Sequence, residues 1–259
     1  MTRSKSSSVA ERNADLLERI KELKADHPFW GYRRVWAYLR FVDKEEVNKK
    51  RIFRLMREHA LLVKPNVRIK AVRPPSRSKP RPERPNQWWG IDMTKVKVDG
   101  FGWVYIVVVL DWCTKKVVGY YAGLQCAGRH WLEALEMAVS RQFPGGVRDK
   151  GLSLMSDNGC QPTSIGFMKA CSVLGINQAF TSYNNPKGNA DTERFFRTLK
   201  EEFLWLRERS NPFELLNELG DWITSYNTDY LHSALGYRSP EQAEEQYLNN
   251  RLLTFPVLD

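Results

Sequence analysis

"WWGIDMTKVKVDGFGWVYIVVVLDW", residues 88 to 112, decides the fold class. It holds two runs rich in Val, Ile, Trp and Tyr, side chains that suit a pleated, partly buried surface. Asp99-Gly100 between them favours the left-handed backbone of a tight hairpin turn. The stretch therefore predicts two antiparallel strands, 88–98 and 102–112, with Asp92 inside the first and Asp111 near the end of the second.

Working outward, "KKVVGYYAG" (115–123) reads as a third strand and "HWLEALEMAVSRQF" (130–143) as an amphipathic helix. "LSLMSDNG" (152–159) is a short apolar strand running into a turn. "SIGFMKACSVLG" (164–175) is a helix closed by Gly175, and "NQAFT" (177–181) is another short strand. Three helical stretches follow: "NADTERFFRTLK" (189–200), "PFELLNELGDWITSYN" (212–227) and "SPEQAEEQYL" (239–248). The last opens well, since Ser239 can cap, Pro240 suits the first turn, and Glu241 faces the positive end of the helix dipole. Three strands, a helix, a strand, a helix, a strand and more helices make an α/β layer fold. No internal repeat is present.

Upstream the pattern is helical. Leu16, Leu17, Ile20 and Leu23 recur at helical spacing between Val9 and Asp26. His27-Pro28 and Gly31 interrupt, and Arg33–Arg40 forms a second helix with Val35, Trp36 and Leu39 inward. "VNKKRIFRLMREHALL" (47–62) forms a third, with Ile52, Leu55 and Met56 on one side. Asn48, Lys49, Lys50, Arg51 and Arg54 lie near its start and largely off that side; Arg33 and Arg34 open the second helix. Three short helices with a basic last one match a helix-turn-helix module, whose final helix enters the major groove. Residues 64–86 then carry six prolines and eight Lys or Arg, the composition of an extended basic linker.

Charge divides the chain the same way. Residues 1–86 hold 23 Lys+Arg and 10 Asp+Glu, a net of +13; residues 87–259 hold 17 and 20, a net of −3. One end is thus suited to a polyanion. No apolar run reaches the length of a membrane span, so no membrane partner is expected, and no apolar leader segment is visible. The four cysteines form no CxxC pair, which argues against structural zinc or a disulfide framework and fits a reducing cytoplasm.

Three acidic residues stand out by position. Asp92 lies within the first strand, Asp157 at a strand end before the turn-forming pair Asn158-Gly159, and Glu193 one turn into a helix. At about 100° per residue, Glu193, Arg197 and Lys200 share one face, while Phe195, Leu199, Glu202 and Leu206 lie opposite. The bland alternative for Glu193 is a surface pair with Arg197, worth only a few tenths of a kcal/mol. The chemical alternative is metal-assisted phosphodiester chemistry. Two divalent ions about 4 Å apart can stabilise the attacking and leaving oxygens of an in-line displacement. Carboxylates are the hard ligands Mg²⁺ and Mn²⁺ prefer. Lys200 would then meet substrate phosphate. Asp111 reads as a turn acid, and Asp191 as an acid favoured by the helix start.

Between Asp157 and Glu193 lie 35 residues. That spacing, with Asp92 upstream and Lys200 seven residues after Glu193, resembles the Asp–Asp–35–Glu signature of DDE transposases and retroviral integrases. "WGIDMTKV", "SDNGCQPTS", "NPKGNADTERFFRTLKEE" and "YNTDYLHSALGYRSP" agree with it, as do "HPFWGYRRVWAYLR" and "VNKKRIFRLMREHAL" upstream. Together they resemble the catalytic second-frame product of bacterial insertion sequences of the IS-three group, over roughly residues 9–248.

The resemblance implies a helix-turn-helix DNA-binding domain (1–63), the basic linker (64–86), a ribonuclease H-like DDE core (87–210) and a C-terminal helical extension (211–259). It implies Asp92, Asp157 and Glu193 as catalytic ligands for two Mg²⁺, with Mn²⁺ able to substitute. The activity it implies is cleavage of element ends and joining of the freed 3′-OH to target DNA. Implied partners are double-stranded DNA (terminal repeats and target), further copies of the chain on DNA, and a first-frame protein, separate or fused by frameshifting. A bacterial cytoplasmic, nucleoid-associated location follows. Lys200, Arg197, Lys187 and Asn158 are the DNA-contact candidates of the core. Two positions depart from the family's pattern: Tyr230 where Arg is usual, and Pro162 where an aromatic is usual. The competing functions are a catalytically silent DNA-binding transposase remnant and a ribonuclease of RNA–DNA hybrids. The helix-turn-helix module favours duplex DNA, because A-form major grooves resist side-chain readout.

Overall fold

The computed structural model describes residues 7–63, 80–181 and 189–254. The chain divides into two compact units, residues 1–72 and 73–259.

The first unit is three helices: α1 (Ser7–Asp26), α2 (Tyr32–Phe41) and α3 (Lys49–Glu58). Each supplies an apolar stripe to one core of Ile20, Leu23, Trp30, Val35, Leu39, Ile52, Leu55 and Met56. Polar contacts fix the connections. Arg19 Nε bonds Asp43 at 2.8 Å, holding α1 to the α2–α3 turn, and Trp36 Nε1 donates to the Val47 carbonyl at 2.9 Å. Asn48 caps α3 by accepting from the Lys50 N–H at 2.9 Å. Most of the basic linker, residues 64–79, lies outside the described residues.

The second unit is built on a five-stranded sheet, β1 (Trp88–Val98), β2 (Gly102–Asp111), β3 (Val117–Gly123), β4 (Ser153–Ser156) and β5 (Asn177–Phe180), in the order β3-β2-β1-β4-β5. β1, β2 and β3 form an antiparallel meander, while β4 and β5 add parallel to β1. The β1–β2 connection is one residue longer than a two-residue turn: Asp99, Gly100 and Phe101 form it, with Gly100 at φ +78°. A parallel neighbour needs a crossover, and α4 (Gly128–Gln142) and α5 (Ile165–Leu174) supply the two. Gly175, at φ +69°, ends α5 in the left-handed region.

Alternation along the strands gives the sheet two buried faces. Trp89, Ile91, Val107, Val109 and Leu154 pack with Trp131, Leu135 and Phe167 of α4 and α5. Val98, Val104, Ile106, Val108, Leu110 and Met155 pack with α6 (Ala190–Leu199) and α7 (Pro212–Asp229) through Phe195, Phe196, Leu199, Leu215, Leu219 and Ile223. α8 (Pro240–Thr254) opens with a reciprocal cap: Ser239 Oγ accepts from the Gln242 N–H, and Gln242 Oε1 accepts from the Ser239 N–H at 3.1 Å.

The helical wheel drawn for 189–206 holds only as far as Leu199. From Lys200 to Leu204 the helix widens to a π turn. The widened turn shifts the register, so Phe203 and Leu204 are buried while Leu206 is 44 % exposed. The expectation that Glu202 and Leu206 extend the apolar stripe is therefore corrected.

Candidate active site

β1 and β4 run parallel and are paired through Gly90↔Met155. Two residues further on stand Asp92, which alternation puts on the sheet face that Gly90 and Met155 share, and Asp157, just past the end of β4. That is the face covered by α6, which carries Glu193 in its first turn. Strand pairing thus sets Asp92 and Asp157 on neighbouring strands, and α6, the helix that carries Glu193, packs on the same side of the sheet.

The seating depends on Gly90. A methyl group there would overlap Thr192 Oγ1 and Trp112 Nε1, and would lie 2.7 Å from Asn189 Oδ1. Only a residue without Cβ lets the start of α6 lie this close to β1. Trp112 Nε1 donates to Thr192 Oγ1 at 3.3 Å, and Lys115 pairs with Asp191 at 3.2 Å. Phe195, Phe196 and Leu199 anchor the same helix in the core. Gly90 and Thr192 are positioning residues absent from the sequence reading. An isolated glycine two residues before a strand carboxylate was the available signal.

Asp92 feels the charges of the other two carboxylates. The Asp92 carboxyl is pushed up to about 6, first by burial and then by the nearby negative charges of Asp157 and Glu193; the Met93 N–H and Lys200 act in the opposite sense. Asp92 Oδ1 accepts from the Met93 N–H at 2.8 Å. Asp157 Oδ1 accepts from the Gly159 N–H at 3.0 Å, the Asx turn suited to Asn158-Gly159. Among the described residues no three His, Cys, Asp or Glu side chains are grouped so as to hold a metal ion. Like charges with no cation between them repel, so open spacing is the electrostatic expectation for such a trio.

The surface-pair alternative for Glu193 fails. Arg197 Nε bonds Glu201 at 2.8 Å instead, and among the described residues Glu193 has no salt-bridge partner. This also places Arg197, offered as a DNA contact, in an exposed i,i+4 pair. Lys200 sits at the start of the π turn, close enough to act on the Asp92 charge. Asn158 Nδ2 donates to the Thr181 carbonyl at 2.6 Å, so its side chain braces β5. Lys187 lies outside the described residues.

The other singled-out acids are structural. Asp111 is 1 % exposed and accepts from Asn86, Cys113 and Thr114, a turn acid whose pKa burial pushes up. Tyr230 is buried and donates its hydroxyl to Glu202 at 3.1 Å, joining the end of α7 to the π turn behind Glu193. His232 packs on the rings of Tyr226 and Tyr230. The Pro162 carbonyl accepts from Gln178 at 2.7 Å. Both departures from the family's pattern are thus absorbed into local structure.

In the helical unit, Asn48 serves α3 as its cap, and Arg51 Nε bonds Asn13 of α1 at 2.9 Å. Lys49 lies over the Trp36 ring at 4.0 Å, Arg34 over Trp30, and Arg33 over Tyr32. Lys50 and Arg54 project from the exposed side of α3.

Residues 82–186 and 174–240 match the integrase core domain family, and residues 11–68 match the HTH-like domain family. The chain therefore carries an integrase core domain and an HTH-like domain. The InsD transposase of insertion element IS2A/D/F/H/I/K from Escherichia coli is 27 % identical over 248 residues, covering 93 % of this chain and 81 % of the relative. InsD of IS2D, from Escherichia coli strain K12, matches to the same extent. Among solved structures, a simian T-cell lymphotropic virus intasome in complex with the PP2A regulatory subunit B56 gamma aligns with TM-score 0.52. The identity there is 17 %, over 93 % of this chain and 76 % of that one. At that identity the likeness speaks for the fold alone, an integrase-like ribonuclease H arrangement. The protein is therefore of the transposase and integrase class of polynucleotidyl transferases. Among the described residues no helix is long and apolar enough to cross a membrane.

Proposed function

We propose that this protein is a DNA transposase that cuts insertion-element ends and joins the freed 3′-OH to target DNA. The observation that supports the proposal is that Asp92, inside the matched integrase core, lies within electrostatic reach of Asp157, Glu193 and Lys200.

The donor set fits divalent cations. Three carboxylates supply hard oxygens, Glu193 is not neutralised by a neighbouring cation, and the negative charge already raises the Asp92 pKa. Asp92, Asp157 and Glu193 would hold the pair of Mg²⁺ ions, with Mn²⁺ as substitute. Bound there, the ions supply Lewis-acid stabilisation of the oxygens that gain charge in phosphodiester transfer.

The chain's own residues do the rest. The Asx turn fixes where Asp157 leaves β4, and Gly90 with Thr192 fixes how near Glu193 comes to the sheet. Lys200 meets a nonbridging phosphate oxygen and orients the scissile bond, since a lysine acts there as a positive point charge. The first unit adds sequence-independent affinity through Lys50, Arg54 and Arg33, a term that weakens as salt rises. The assembly we propose is oligomeric on paired DNA ends, acting with a first-frame partner protein or as a frameshift fusion.

The test is divalent-dependent strand transfer on a labelled duplex bearing the flanking element's terminal repeat, with and without the first-frame protein, and with Asp157→Asn as control. Joined product lost in the control is the expected result. Duplex binding with no cleavage under every condition would replace this reading with that of a silent DNA-binding remnant. Preferential cleavage of an RNA–DNA hybrid would replace it with that of a ribonuclease.

A further inference from the structure

Helix α3 buries Ile52, Leu55 and Met56 and turns Lys50, Phe53, Arg54 and Arg57 outward. At about 100° per residue these four fall within an arc of roughly 100°. The one acid on α3, Glu58, lies beyond it. Three cations on one short face suit the phosphates flanking a groove, and among the described residues neither Lys50 nor Arg54 has an ion-pair partner. In their midst stands an aromatic ring that the core does not require. Phe53 is 36 % exposed, although the core is complete with the other face of the helix.

The ring is also held in place. Tyr32 of α2 meets it edge-on with centroids 4.9 Å apart, and the Arg57 guanidinium lies 5.6 Å from its centroid. Arg33 in turn stands over Tyr32, extending the cationic rim from α3 to α2. A fixed apolar knob loses little rotamer freedom on binding, and the surrounding cations match a polyanion. The one apolar, sequence-dependent feature of the DNA major groove is the C5-methyl group of thymine.

We infer that Phe53 is the specificity-determining side chain of the HTH-like unit, reading a thymine methyl in the major groove while Lys50, Arg54, Arg57 and Arg33 hold the flanking phosphates. The inference rests on the reading of this protein as one that acts on duplex DNA. It assigns different work to neighbouring residues. Lys49 and Arg51 are engaged with Trp36 and Asn13 and serve the module's own structure, whereas the sequence-reading contact is uncharged.

The experiment selects preferred sites for the full-length chain from a random duplex library. It then compares each site with a copy in which deoxyuridine replaces thymidine, removing only the methyl. Wild type is expected to bind the uracil duplex about fourfold more weakly per contacted methyl, the scale of burying one such group. Phe53→Ala should bind both duplexes alike, and Phe53→Leu should keep part of the discrimination; circular dichroism confirms that both variants are folded. Arg57→Gln should weaken both duplexes equally and flatten the salt dependence. Equal wild-type binding to the two duplexes, or discrimination undiminished in folded Phe53→Ala, would overturn the inference while leaving the DNA-acting reading in place. No binding to any duplex at low salt would overturn both.

Discussion

Helices α3 and α6 look alike in sequence: both are short, amphipathic and rich in Arg or Lys. Their surroundings separate them. On α3 the outward cations are left for a ligand, and no carboxylate interrupts them. On α6, Arg197 is taken by Glu201, while Glu193 has no salt-bridge partner among the described residues and acts on the buried Asp92 carboxyl. A basic helix is therefore not one kind of object. Which charges are neutralised within the fold decides whether a helix presents itself to phosphate or gathers a cation first.

That contrast can be broken at α6 most sharply. Asp157→Asn or Glu193→Gln should lower strand cleavage by about three orders of magnitude or more, because the chemistry loses a ligand of its charge-stabilising centre. Duplex affinity measured by fluorescence anisotropy should stay near wild type, since that work belongs to the cations. A variant that loses binding and cleavage together would mean that the two helices share one task.

Next in size is the seat of α6. Gly90→Ala inserts a methyl where Thr192, Trp112 and Asn189 already stand. Overpacking of this kind costs about 1–3 kcal/mol, and the displaced Glu193 should cost roughly a hundredfold in cleavage rate. The same substitution should leave random-duplex binding unchanged. A crystal structure of Gly90→Ala with α6 unmoved would remove Gly90 from the account.

Burial of the Asp92 carboxyl, with the nearby negative charges added, gives a smaller, pH-dependent signal in metal-free protein. Asp92 has its carboxyl raised from 3.8 to about 6 in the fold, so its charged form is disfavoured there. The stability this group contributes is fully present below its unfolded pKa and is lost as pH rises through about 6. Asp92→Asn should therefore stabilise the protein by about 1–2 kcal/mol at pH 7.5, with the gain vanishing toward pH 4. Thermal melts in EDTA across that range read it directly. A gain that does not change with pH would mean that the ionised Asp92 carboxylate is not its source.

Smallest is the contact behind the site. Tyr230→Phe removes the hydroxyl that bonds Glu202 and should cost about 1 kcal/mol, seen as a drop of a few degrees in Tm. An unchanged Tm would show the bond to be incidental.

Much of this was legible before any coordinates. Alternation in 88–112 marked two strands, and helical spacing marked α1 to α5, because burial on one face imposes those periods locally. Asp157 could be singled out because it sits where a strand offers its end to a ligand, and Asp92 because a carboxylate interrupts an otherwise strand-forming run. What stayed hidden depends on contacts between distant segments. The closeness of α6 to β1 rests on an absent side chain at Gly90, which pattern alone does not interpret. The π turn at Lys200 misled the wheel because a 100° step assumes unbroken α-helix. Tyr230 looked like a deviation until Glu202, 28 residues away in sequence, was seen to receive it. Arg197 seemed to face Glu193, yet Glu201 was equally well spaced and took the pair.

The most direct test of the central claim asks whether the three carboxylates form one cation site. Mn²⁺ binding to the metal-free full-length chain, followed by electron paramagnetic resonance, should show bound ion in wild type. Asp92→Asn, Asp157→Asn and Glu193→Gln should each weaken it strongly. Undiminished Mn²⁺ binding in any one of the three would show that residue to lie outside the site and would contradict the account.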